Sequence, residues 1–174
     1  MDYCRYSAMP VGRFVLDVHG ESRDTWPASD ALCAALQVIN HLQDCAKDYR
    51  DLNRVYIPLG QLESAGGVEA LAAPKSSPAL LGVIRNLAER THSLLAASRP
   101  FAGQIRDRRL SAEVAVIQAL AEDLNERLMR RDPFSERVHH SKVEAAALGL
   151  GALTRSLFSR RPSDKPPVGA TRGS

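Results

Sequence analysis

Little in this 174-residue chain argues for a membrane span, a disulfide framework or a nucleic-acid surface. The longest apolar stretch, Ala145 to Leu153, is far short of the roughly 20 residues that cross a bilayer. Asp2 and Arg5 interrupt any apolar run at the start, so no secretory signal is expected. Cys4, Cys33 and Cys45 are odd in number and lack zinc-like spacing, which points to reduced thiols in the cytoplasm. Any membrane contact is then expected to be peripheral, at the inner face. A formal charge of +3 is too small to argue for nucleic acid, and much of it lies in the last stretch of chain. No internal repeat, no strand of convincing length and no glycine-rich nucleotide loop is visible, so nothing here supports reduction by NADPH. With 44% hydrophobic and 25% charged residues, the chain reads as one ordinary soluble domain with a real core.

What is present centres on Gln37 to Pro58, QVINHLQDCAKDYRDLNRVYIP. Asn40, Asp44 and Asp48 recur every fourth residue in a segment that otherwise reads as helix. Four residues turn a helix by about 400°, so each polar group sits roughly 40° round from the last and about 6 Å further on. Gln37 falls close to the same stripe, while Leu32, Cys33, Leu36 and Ile39 are expected on the opposite, buried side. Two carboxylates and an amide oxygen are hard ligands of the kind Mg²⁺ prefers when it also holds phosphates. A solvated helix face carries the same spacing, and the stripe alone leaves both readings open.

Two signatures carry a resemblance. Asn40-x-x-x-Asp44-x-x-x-Asp48, followed by Arg54-Val55-Tyr56-Ile57-Pro58, resembles the second aspartate-rich motif of the squalene and phytoene synthase family. Upstream, Tyr3-Cys4-Arg5-Tyr6-Ser7-Ala8-Met9-Pro10-Val11-Gly12 resembles its other signature: a Tyr, an Ala five residues later, then Val-Gly. The wording DYCRYSAMPVGR and ALQVINHLQD is most similar to the bacterial branch that makes hydroxysqualene or squalene for hopanoids. The likeness continues from Leu110 to Lys142 and covers nearly everything except the tail.

The resemblance implies an all-α chain with the helical isoprenoid (terpenoid) synthase fold, in which antiparallel helices surround an apolar cavity. A partial domain is expected over residues 1–160, followed by a disordered tail, 161–174. The implied cofactor is Mg²⁺, held by Asp44 and Asp48 with Asn40 completing the coordination. Gln37, Arg54 and Tyr56 would contact a prenyl diphosphate, presqualene or farnesyl, and Tyr3, Ala8, Val11 and Gly12 would line the prenyl tunnel. For Gly12 by itself, close helix packing is the stronger expectation. Two departures stand out. Gln43 occupies a position where the family usually has Arg before the first Asp. The family's first aspartate-rich motif has no counterpart, and neither Asp107 nor Asp123 replaces it. The chain is therefore expected to be a C-terminal portion, without turnover unless an N-terminal fragment or complementing subunit supplies the other half of the metal clamp. A non-catalytic helical remnant or partner subunit, and an unrelated helical adaptor, are the competing readings.

Elements follow from punctuation. Residues 2–19 read as helix disturbed at Met9-Pro10. Ser29 is the expected N-cap of a helix running to about Asp51, and Asn53 to Pro58 must be non-helical. Short helical turns around Gly66-Gly67 precede a helix from Pro78 to about Ser98. Ser111 and Glu113 are expected to open the next, which Pro133 ends. Arg127, Arg130, Arg131 and Arg137 gather there, more simply as a helix C-terminus than as a phosphate patch. His139 and His140 read as polar linker residues, and a last helix is expected over Ser141 to Arg160.

Overall fold

The computed structural model describes residues 2–159, with side chains for 3–155, and all regular structure among them is helical. The expected tail, 161–174, lies outside the described residues. Two helices open the chain, α1 (Asp2–Tyr6) and α2 (Ala8–Val18). The break falls at Ser7 rather than at Met9-Pro10, and the displacement has a cause. A proline clashes with the carbonyl four residues earlier, here Tyr6, whereas inside a first turn its missing N–H costs little. Pro10 therefore ends the preceding helix and sits in the first turn of its own.

A 3₁₀ turn (Arg23–Thr25) leads into α3 (Trp26–Leu52), a 27-residue helix about 40 Å long. It starts four residues earlier than expected, because Pro27 is a favourable first-turn residue. Ser29 is consequently not a cap; it is buried inside the helix. Asn53 ends α3 in the left-handed conformation (φ 52°), with its own N–H reaching the Tyr49 carbonyl and the Arg54 N–H reaching the Asp48 carbonyl. The extended segment through Ile57 follows, then α4 (Leu59–Glu63), Gly66-Gly67 with φ of 104° and 76°, and a 3₁₀ turn (Val68–Ala72).

Ser77 caps α5 (Pro78–Ser98) by accepting the Leu80 N–H. After the short α6 (Phe101–Gln104), α7 (Arg108–Arg130) is capped by Asp107, whose carboxylate takes the Arg109 and Leu110 N–H groups. Ser111 thus lies within α7 rather than opening it. The chain closes with α8 (Lys142–Ser159).

The long central helix α3 packs against α2, α5 and α7, and α7 in turn carries α6 and α8. One continuous core joins Leu32, Ile39 and Leu42 of α3 to Leu80, Ile84 and Leu95 of α5 and to Val114, Ala121 and Leu128 of α7. Their three- and four-residue spacing is what lays one stripe of each helix against the others. Asp132 ties the segment after α7 to the start of α5. It accepts the Ser76 N–H and hydroxyl (3.0 and 2.6 Å), the Phe134 N–H and the Ser135 hydroxyl. Burial works against its charge, but those donors prevail and hold its carboxyl below the usual range.

Two of the four arginines near this helix end are paired with carboxylates of the fold. Arg127 bonds Asp123 and Glu144, and Arg130 bonds Glu126. His140 is not a free linker residue, since its Nε2 lies 2.8 Å from Asp123. No helix among the described residues is long and apolar enough to cross a membrane.

Candidate functional site

The polar stripe of α3 borders an open cleft of about 440 Å³ between α3 and the α1–α2 corner. Gln37, Asn40, Asp44 and Asp48 all line it, and Ala8 and Val11 of α2 form the facing wall. Cys33 and Leu36 line it too, against the expectation that they lie on the far side of the helix. The geometry explains why: Cys33 is four residues before Gln37, so it belongs to the stripe it was expected to oppose. Only Leu32 and Ile39 of that set are buried in the core.

Gly12 lines neither this cleft nor the neighbouring cavity. A Cβ there would come within 2.5 Å of the Cys33 sulfur and 2.7 Å of the Ser29 hydroxyl. Close packing of α2 on α3 is therefore what Gly12 serves. Arg13, one residue on, fastens the same contact through two bonds to Asp30 and lies over the Trp26 ring.

A second, larger cavity of about 650 Å³ opens beside the cleft, between α3, the extended 53–58 segment and α5. Tyr3, Val38, Leu42, Leu87 and Leu94 give it an apolar lining, with Arg54, Arg90 and Thr91 as polar points. His41 and Tyr56 line both hollows and form the partition between them. Their rings stack flat, centroids 4.1 Å apart and planes within 1°, and the Tyr3 ring lies tilted against His41 with centroids 5.9 Å apart. Sequence reasoning did not single out His41. The signal available was its place four residues after Gln37, which puts it beside the stripe.

The partition is hydrogen-bonded into the stripe. The Tyr56 hydroxyl donates to Asp48 Oδ2 at 2.7 Å, which leaves Oδ1 with only Lys47 at 3.9 Å. Accepting that proton, Asp48 pushes the Tyr56 phenol up, while Arg54 pulls it the other way. Arg54 is fully exposed at the rim, and the Tyr56 hydroxyl beside it holds its guanidinium above the ordinary value. Burial pushes His41 below its ordinary value, opposed by the charges of Asp44 and Asp48. The Ser7 hydroxyl lies 2.8 Å from both the Tyr3 carbonyl and Gln37 Oε1, and Gln37 Nε2 lies 3.4 Å from His41 Nε2. The bend at Ser7 is thereby tied to the stripe.

Gln43, where the family pattern has Arg, points elsewhere: its amide donates to the Val138 carbonyl and anchors the segment after α7. Asp107 and Asp123 also lie outside the cleft, bonded to His19 and to Arg127 and His140.

Two carboxylates and one amide oxygen fit Mg²⁺ in its usual mode, with one or two carboxylates, several waters and substrate phosphates. They do not make an all-protein cage. Among the described residues no group of three or more His, Cys, Asp and Glu side chains is placed to hold a metal ion.

Comparison with known proteins bears on the family and the fold. Residues 1–144 match the family described as squalene/phytoene synthase. The chain is 58% identical over 167 residues to a hydroxysqualene synthase of Rhodopseudomonas palustris, covering 95% of this chain and 57% of that protein. It is 57% identical over 160 residues to a hydroxysqualene synthase of Zymomonas mobilis, covering 91% of this chain and 54% of the relative. The chain thus spans little more than half the length of these relatives. Among solved structures it is similar to the squalene synthase HpnC of Alicyclobacillus acidocaldarius, with a TM-score of 0.67 and 33% identity over 74% of this chain and 49% of the other. The helical architecture, the paired hollows and these matches lead to one conclusion: the chain belongs to the squalene/phytoene synthase family.

Proposed function

We propose that this chain carries the second-aspartate face of a hydroxysqualene synthase-type site, acting on presqualene diphosphate in the hopanoid branch of isoprenoid biosynthesis. The observation that carries the reading is the juxtaposition of a carboxylate cleft and an apolar cavity across one aromatic partition, His41 and Tyr56. A prenyl diphosphate has that division of chemistry, a charged head and a long hydrocarbon chain. The relatives named hydroxysqualene synthase support the same substrate class.

In this reading Asp44 and Asp48 present hard oxygens to Mg²⁺, and Asn40 adds an amide oxygen at the cleft mouth. Bound there, Mg²⁺ would neutralise the diphosphate and make it a better leaving group. Tyr56 acts through Asp48: its donated hydrogen bond fixes one carboxylate oxygen and leaves the other for coordination. Arg54, exposed at the rim, has the charge and the fork of donors for phosphate oxygens. Gln37 holds the Ser7 bend and His41 in register with the stripe. Tyr3 and the leucines of α5 wall the hydrocarbon chain and keep stray water from the reacting carbon until it is captured.

The complementing half of the metal clamp is proposed to come from a further segment or subunit. Its support is an exposed apolar strip on α2, formed by Val11, Phe14, Val15 and Val18 beside the cleft. The chain alone is then expected to bind Mg²⁺ and a diphosphate without turnover. Calorimetry with farnesyl thiodiphosphate, with and without Mg²⁺, tests this: Mg²⁺-dependent binding lost in Asp44→Ala is expected. Binding indifferent to Mg²⁺ or to Asp44 would leave the stripe as solvated surface, the adaptor reading. Pyrophosphate release by the purified chain would show instead that it needs no complement.

A further inference from the structure

His41 gathers contacts from parts of the site that lie far apart in the chain. It is half-buried on α3 and lines the carboxylate cleft and the apolar cavity alike. Its Nε2 lies 3.4 Å from the Gln37 amide nitrogen, and the Gln37 amide oxygen is 2.8 Å from the Ser7 hydroxyl at the α1–α2 bend. Its ring covers the Tyr56 ring face to face at 4.1 Å, and the Tyr56 hydroxyl reaches Asp48 at 2.7 Å. An unbroken series of contacts therefore runs from the bend, through Gln37 and His41, to a carboxylate of the stripe.

Tyr56 depends on that series. The segment carrying it belongs to no helix. Its backbone is tied at Arg54, whose N–H meets the Asp48 carbonyl, and Ile57 anchors it by burial. A hydrogen bond at the hydroxyl fixes one point of the phenol and leaves the ring free to swing about it. A flat neighbour at stacking distance removes that freedom, a preference of roughly three- to tenfold in an equilibrium.

The larger cavity opens on the same partition, where Tyr3, His41 and Tyr56 line it with Leu87 and Leu94 of α5. An apolar chain packed there displaces water from the His41 and Tyr56 rings and favours the closed stack. We propose that His41 is a positioning residue that couples the two hollows: through its stack on Tyr56, an apolar chain in the larger cavity tightens the hold of Asp48 on Mg²⁺ and diphosphate. The coupling rests on the function proposed above, whose charged head and apolar chain it ties together. It is reciprocal, so a diphosphate held with Mg²⁺ in the cleft tightens the cavity on the chain by the same factor.

Calorimetry on the full chain, with head and chain supplied as separate molecules, tests this. Mg²⁺ with inorganic pyrophosphate probes the cleft, and geraniol, an uncharged prenyl alcohol, probes the cavity. Saturating geraniol should tighten pyrophosphate binding about tenfold. His41→Phe, which keeps a flat ring and gives up the Gln37 contact, should retain most of that gain. His41→Leu, of similar volume but without the flat face, should reduce it to less than about twofold. The Tyr56 ring protons give a second readout that needs no ligand. The stacked ring should hold them upfield in the unaltered chain and in His41→Phe, and His41→Leu should release them while the urea midpoint stays near that of the unaltered chain. Independent binding of geraniol and pyrophosphate, full coupling in His41→Leu, or equal loss in His41→Phe and His41→Leu would each overturn the proposal while pyrophosphate binding still depends on Asp44. Pyrophosphate binding that is absent, or that survives Asp44→Ala, would instead overturn the function proposed above, and the coupling with it.

Discussion

The two faces of α3 have been put to opposite uses. Toward α5 and α7 it presents Leu32, Ile39, Leu42 and Ala46, all buried in one core. There the loop after α7 is locked by the four donors on Asp132 and by Gln43 holding Val138. Toward α1 and α2 it presents Asn40, Asp44 and Asp48, which carry unspent oxygens beside a small-residue wall. The closed face consumes its hydrogen-bonding capacity internally; the open face, in the function proposed above, holds it in reserve for a ligand. Substitutions should therefore separate cleanly, with stability lost on one face and binding on the other.

The largest effect is expected from the closed face. Ile84→Ala removes a fully buried side chain and should cost about 3–4 kcal/mol in urea unfolding. Diphosphate binding under folding conditions should stay within about twofold. Loss of binding in a folded Ile84→Ala chain would break the separation. Next, Asp132→Ala should cost about 3 kcal/mol, because it strands the Ser76 and Phe134 donors in a buried site. Asp132 also sets a pH dependence. Its folded carboxyl sits below the usual range, so its stabilisation is complete above the unfolded value near 3.8 and fades as pH falls through the folded one. Glu144, held at about 2 by the Ser141 N–H and Arg127, adds the same sign between pH 4.5 and about 2. Urea midpoints measured from neutral pH into acid should therefore decline, and Asp132→Asn should flatten that decline.

A smaller effect falls where the two faces meet. Gly12→Ala forces a methyl onto Cys33 and Ser29 and should cost about 2 kcal/mol. Combining it with Cys33→Ala should recover part of the loss, and full additivity would show that the crossing is not the cause. Smallest of all is a titration. Burial holds His41 below its ordinary value, so its imidazole should titrate by NMR beneath 6.5. Asp44→Asn removes a charge that favours the protonated ring and should lower the midpoint further.

Much of this was legible in the chain itself, and the exceptions have physical reasons. The all-helical class, the break after Asn53, the Gly66-Gly67 turn and the Ser77-Pro78 start follow from local chemistry that tertiary packing left alone. Helix starts went astray where two cap candidates lay a few residues apart. Pro27 outweighed Ser29, and Asp107 outweighed Ser111. The stripe could be placed on one face by arithmetic, but its neighbours could not. Tyr56 meets Asp48 only because Asn53 reverses the chain, and His41 gains meaning only once Tyr56 stacks on it. Asp132 and Ser76 are 56 residues apart, and no local pattern links them.

Crystals of the chain grown with Mn²⁺ and farnesyl thiodiphosphate address the open face most directly, through the anomalous signal of the metal. A Mn²⁺ peak within about 2–2.5 Å of oxygens of both Asp44 and Asp48 is expected, with the thiodiphosphate on it and the farnesyl chain beyond the His41–Tyr56 partition. A metal bound elsewhere, or a diphosphate seated away from the α3 stripe, would contradict it.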